Sequence, residues 1–166
     1  MLHPYSVNFE NIERRTEVRA FMDGLLNLYL ALKADLSIEV EPQFQNYLRE
    51  SADLLTWITF DIGIFISEIN QALRELFYSD EWFGICRNRS AVEALRELYQ
   101  NTNLGEHLSV EPNLSDLDTR DLDGEIRLKG EEGFLSQEQI PAGIPSSHWW
   151  WWLPYVPPSD SREAQS

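Results

Sequence analysis

Between Leu54 and Leu76 the apolar residues Leu54, Ile58, Ile62, Phe65, Ile69, Leu73 and Leu76 fall at steps of three and four. That is the spacing of one helical face. A second row, Leu55, Ile66 and Phe77, with Trp57, Phe60 and Ile64 beside it, widens the stripe. A helix this apolar must be covered on several sides. Residues 51–78 are therefore predicted to be the central helix of an α-helical domain. An earlier helix is predicted over about 10–36, capped by Asn8 or Asn11. Its apolar side is Ile12, Val18, Phe21, Leu25, Leu28, Leu32 and Leu36, broadened by Met22, Leu26 and Tyr29. Glu10, Glu13 and Glu17 in its first turns and Lys33 near its end suit the helix dipole.

Glu41-Pro42 is the next start signal, with proline at the first helical position. From there the pattern either runs unbroken to Tyr78, with a bend at Gly63, or breaks near Ser51. Asp80 would open a short turn carrying Trp82, Phe83 and Ile85. Ser90 followed by Glu93 reads as a capping box that starts a third helix. Val92, Leu95, Leu98 and Tyr99 form its apolar side, and Asn101 and Gly105 are its candidate stops. The expected fold is mainly α, an antiparallel bundle of three main helices followed by a long irregular C-terminal segment.

After Leu104 the helical period is lost. Glu106 to Glu132 holds nine acidic against three basic residues, a local net charge of −6. Residues 125–135, EIRLKGEEGFL, suggest a small β-hairpin around Gly130 to Gly133. Ser136 and Gln139 would cap one short turn. Prolines at 141, 145, 154, 157 and 158 forbid a long helix and favour an extended path over 140–158. The expected organisation is a bundle over 1–104, an acidic, proline- and tryptophan-rich segment over 105–158 packing on it, and a disordered tail over 159–166.

Within that segment Trp149, Trp150, Trp151 and Trp152 are consecutive. In an extended chain Trp149 and Trp151 would face one way and Trp150 and Trp152 the other. At about 150–250 Å² per ring the run carries roughly 600–1000 Å² of surface to bury. Two coverings are then needed. Either the tail folds back and completes the core, or one pair anchors it while the other is offered to a protein partner. A membrane-interface role is opposed by the surrounding negative charge.

The 166 residues suffice for one domain with a sizeable core. Thirteen basic against 28 acidic residues leave a formal charge of −15, which repels nucleic acid and anionic membranes and favours a basic partner. The clustered bases Arg14, Arg15 and Arg19 alternate with acids and make no phosphate track. Cys86 is the single cysteine, so no intrachain disulfide forms. The start of the chain lacks a signal-peptide pattern, and the longest apolar run, at about 13 residues, is too short to span a bilayer. A soluble, cytoplasmic protein is expected.

No catalytic or metal-binding pattern stands out. His3, His107 and His148 are scattered, and one cysteine cannot build a zinc cluster. Asp116, Asp118, Asp121 and Asp123 invite a calcium-loop reading. Placing Asp121, Asp123 and Gly124 in loop register puts Thr119 and Gly130 where the terminal ligands belong, which leaves a solvated acidic loop. Nucleophile and phosphate-loop motifs are missing, and Cys86 reads as a half-buried structural thiol. Asp61, inside the apolar helix, needs a partner such as Arg14 or Arg19.

The expectation is thus a protein that acts by binding protein, without catalysis or cofactor. Asp116, Asp118, Asp121, Asp123, Glu125, Glu131 and Glu132 would attract a basic partner, and Trp149 to Trp152 with Tyr155 would supply burial. In size, acidity and helical content the chain is similar in kind to bacterial immunity proteins that neutralise a cognate toxin. The resemblance carries over no individual binding residue. It implies an antitoxin-type inhibitor of a basic, nuclease-like toxin. The alternative is a structural or adaptor protein acting through helical homodimerisation.

Overall fold

The structure, a computed structural model, describes residues 4–35, 41–76, 79–102, 104 and 118–154, with side chains of the first helix described from residue 13. Its described residues are mainly helical and contain no strand. Helix α1 spans Pro4–Ala34, α2 Pro42–Leu55, α3 Thr59–Arg74, α4 Ser79–Leu98 and α5 Arg120–Gly130. Two short 3-10 turns, Gln137–Gln139 and Trp149–Trp151, follow.

Helix α1 starts earlier than the sequence suggests, so Asn8 and Asn11 lie inside it rather than before it. Its buried line is Val18, Met22, Leu25, Leu26, Tyr29 and Leu32. The row expected only to broaden the face is its centre, while Phe21 and Leu28 lie towards the edge. Apolar spacing gives the period of a face. Which row sits deepest depends on the neighbour, here α4.

Over its described residues, 42–76, the stretch expected to be one helix or two is two, Pro42–Leu55 and Thr59–Arg74. Proline opens α2 as expected. The break comes at 56–58, not at Ser51 or Gly63. There Trp57 N–H donates to Leu54 O and Ile58 N–H to Leu55 O, both at 3.1 Å. These three-residue bonds tighten the turn. The Thr56 hydroxyl donates to Asp53 O at 2.7 Å, and Ile58 leaves the helical region with φ −116° and ψ 19°. In α3, Ile62, Phe65, Ile66, Ile69 and Leu73 are buried as their spacing predicts. Asp61 approaches Arg14 at 3.9 Å, and Glu68 receives Arg19 at 2.6 Å, which ties α1 to α3.

Helix α4 replaces the expected turn and third helix. Ser90 stands eleven residues inside it and caps nothing. Trp82, Ile85, Cys86, Arg89, Ser90, Ala91, Val92, Ala94 and Leu95 are all buried. Consecutive burial from 89 to 92 means that neighbours close on several sides, so α4, not 51–78, is the enclosed helix. Small residues at 86, 90, 91 and 94 allow the close approach. Arg87 reaches back to Asp23 and Asn27 of α1, each at 2.8 Å.

Of the segment expected to hold a hairpin, 125–135, residues 125–130 belong to α5 and 131–135 follow it as a turn and irregular chain. Leu122, Ile126 and Gly130 are the buried positions of α5, one turn apart each time. Asp121 and Asp123 occupy its first turn and Arg127 and Lys129 its last, a favourable order for the dipole. Helical φ/ψ across 120–130 rules out the calcium-loop register as well as the strand pairing. Ser136 N–H donates to Gln139 Oε1 at 2.9 Å, closing the short turn expected there. A single apolar core runs from Val18 to Trp152 and includes residues of all five helices and the C-terminal turn.

Candidate protein-interaction surface

The tryptophan run is wound, not extended. Trp149–Trp151 form a 3-10 turn, whose three residues per turn distribute the rings around the axis instead of alternating them. Trp150, Trp151 and Trp152 retain 1%, 1% and 7% of their surface, so no outward pair remains. Trp149 is half-buried, with the Arg127 guanidinium 4.0 Å above its ring. The partner-binding role expected for the run meets buried rings at Trp150, Trp151 and Trp152, which belong to the core, while Trp149 keeps part of its surface exposed. Pro145, through His148 N–H to its carbonyl at 3.0 Å, and the bonds from Trp151 and Trp152 N–H to His148 and Trp149 carbonyls supply the winding.

Ser90 is the hub of this turn. Its Oγ accepts from Trp150 Nε1 at 3.0 Å and Trp151 Nε1 at 2.8 Å, and lies 2.9 Å from His148 Nδ1. With both lone pairs engaged, its proton goes to Nδ1, which assigns His148 the neutral form protonated at Nε2. The ring is stacked between Tyr29 and Trp150. Nε2 meets no acceptor. Burial, with Arg89 and Lys33 adding to it against Glu93, lowers the His148 pKa to about 4. This serine–histidine pair is sealed: a nucleophile needs a lone pair and an approach, and Ser90 has neither. Beside it burial, and after that the Glu97 carboxylate, raise the Tyr29 hydroxyl, although neither Tyr29 Oη nor Glu97 Oε2 completes a well-formed hydrogen bond. Burial likewise raises Cys86, whose Sγ donates to Trp150 O at 3.5 Å.

The acidic candidates divide. Asp123 is engaged by buried Arg89 at 2.7 Å, and Asp118 by Arg120 at 2.8 Å. Arg120 also holds the Asp118 carboxyl below its ordinary range. Asp121, Glu131 and Glu132 are exposed and Glu125 is half-exposed. Asp116 and Tyr155 lie outside the described residues.

A surface that the sequence assigns to the core stands out instead. Leu54, Trp57 and Phe60 retain 71%, 87% and 69% of their surface, and Tyr47 retains 47%. The tight turn bears on their placement: a bond closing over three residues brings Trp57 over Leu54, Phe60 follows in the first turn of α3, and Tyr47 is two turns before Leu54 on α2. Glu50 and Asp53 on the same helix are exposed as well. One helical phase carried through residue 57 puts Leu54 in the buried row, and the turn at 56–58 breaks that phase.

No family model, no curated protein and no solved structure matches this chain. No helix among the described residues is long and apolar enough to cross a membrane.

Proposed function

We propose that this chain is a cytoplasmic, non-catalytic inhibitor that binds and occludes a basic protein, in the manner of bacterial immunity proteins that neutralise a nuclease-like toxin. The observation that carries the reading is the placement of its acids. The charge of −15 is not consumed internally. Asp121, Glu131 and Glu132 on and after α5 face solvent, with Glu125 beside them. Such a field raises the encounter rate with a basic surface and repels acidic competitors. The anchoring burial falls to apolar side chains outside the tryptophan turn.

The test is affinity capture from the source cell on the intact chain, followed by a salt gradient. A discrete basic protein should elute as salt shortens the screening length to well under about 8 Å. Replacing Asp121, Glu131 and Glu132 with their amides should slow association about tenfold, read by stopped-flow mixing with the recovered protein. No partner, or an acidic and salt-insensitive one, would contradict the reading. The alternative, an adaptor working as a helical homodimer, draws on the same exposed apolar residues. Sedimentation at low protein concentration separates the two.

A further inference from the structure

We propose that the corner formed by Tyr47, Leu54, Trp57 and Phe60 is the anchor of the interface and enters an apolar recess with a basic rim on the bound protein. This rests on the inhibitor reading above and adds where and how contact is made. A ring exposed at 87% on a tight turn is costly to leave in water and unusually easy to insert. The backbone at Trp57 is held by hydrogen bonds from Thr56, Trp57 and Ile58 N–H, so the main chain that carries the ring is set before binding. Glu50 and Asp53 flank it on α2, and Asp61 follows Phe60 with Arg14 at 3.9 Å. A recess rimmed by lysine or arginine complements that border.

Two other occupants fit worse. The exposed parts of Leu54, Trp57 and Phe60 amount to roughly 400–500 Å², while a standard interface takes about 800 Å² from each partner. A second copy would have to find the remainder against 15 negative charges on each chain. A membrane surface carries the same sign of charge as this molecule. A basic protein instead gains from both terms, with the corner in the middle and the acids steering from outside.

The experiment replaces Trp57 with the photo-reactive residue p-benzoylphenylalanine in the full chain and irradiates it in the source cell. The same residue at exposed Gln137, on the C-terminal segment, is the control. Position 57 should label the same basic protein that affinity capture recovers, and position 137 should not. Trp57→Ala should weaken binding of that recovered protein by about 30-fold or more. Circular dichroism and the urea midpoint should stay unchanged, since the residue is 87% exposed. Labelling of a second copy or of lipid, or a Trp57→Ala affinity within twofold of the parent, overturns the assignment while leaving the inhibitor reading intact. Failure to recover any basic protein overturns both.

Discussion

The His148 ring is charged only at the cost of the packing around it. In the unfolded chain it titrates near its ordinary 6.5, whereas in the folded chain burial holds it at about 4. Between those values the unfolded state binds a proton that the folded state refuses. The stabilisation is therefore complete above about pH 6.5 and falls by about 1.4 kcal/mol per pH unit as the pH drops towards 4. Urea titrations across that range should show this slope, and His148→Gln should remove it while the background from carboxylates stays. Ser90→Ala tests the hub itself. It strips the acceptor from Trp151 Nε1 and the donor from His148 Nδ1, while Trp150 Nε1 keeps the Cys86 carbonyl at 3.1 Å. A loss of about 2–4 kcal/mol is expected from urea unfolding followed by circular dichroism. Nothing in the sequence around Ser90 signals this role. Ser90 and Glu93 make a well-formed capping pair by local rules, and the partners that overrule it lie about 60 positions away.

Elements meet through one buried cation. Arg89, 3% exposed, donates from α4 to Asp123 of α5 at 2.7 Å and to Glu93 at 2.9 Å, and lies 4.3 Å from the centre of the Trp150 ring. Arg89→Met keeps the bulk but strips the guanidinium from Asp123 and from Glu93, which are 23% and 27% exposed, Glu93 keeping Arg96 at 3.6 Å. It should destabilise the fold by about 2–3 kcal/mol in chemical denaturation, beyond an exposed pair such as Arg120 with Asp118. Helix α5 also meets the C-terminal turn at Gly130. A Cβ there would sit 2.8 Å from the Leu153 Cβ and closer still to its Cδ1. Gly130→Ala should therefore cost roughly 1–3 kcal/mol by pushing the two apart, although alanine is the better helix former. Helix α5 was hidden in the sequence because its buried face is only Leu122, Ile126 and Gly130. Two glycines and a run of acids made it look like a loop. Helices α1 and α3 were legible because their apolar rows are long enough to show a period.

At the scale of the molecule, the C-terminal turn belongs to the same core as the helices, and this decides how the protein comes apart. Helical class and the burial demand of the indoles were readable from composition. Which surface that burial left bare was not, since it depends on a tight turn at 56–58 that shifts the helical phase. Cys86 reports on the outcome. Its thiol is fully buried, its titration is pushed upward by burial, and the Trp150 backbone lies across it. A thiol reagent needs both access and thiolate, so labelling must wait for an opening. If the Trp149–Trp151 turn were a strap over a finished bundle, Cys86 would label at urea concentrations where the helices remain intact. The single core, in which Trp150, Trp151 and Trp152 share one cluster with residues of all five helices and contact α4 and α5 directly, gives the opposite expectation. The free energy of opening from Cys86 labelling should equal that of global unfolding from circular dichroism, with the same dependence on urea. A labelling free energy lower by several kcal/mol would show that the turn detaches alone, and its indoles would then add to the aromatic surface at Trp57.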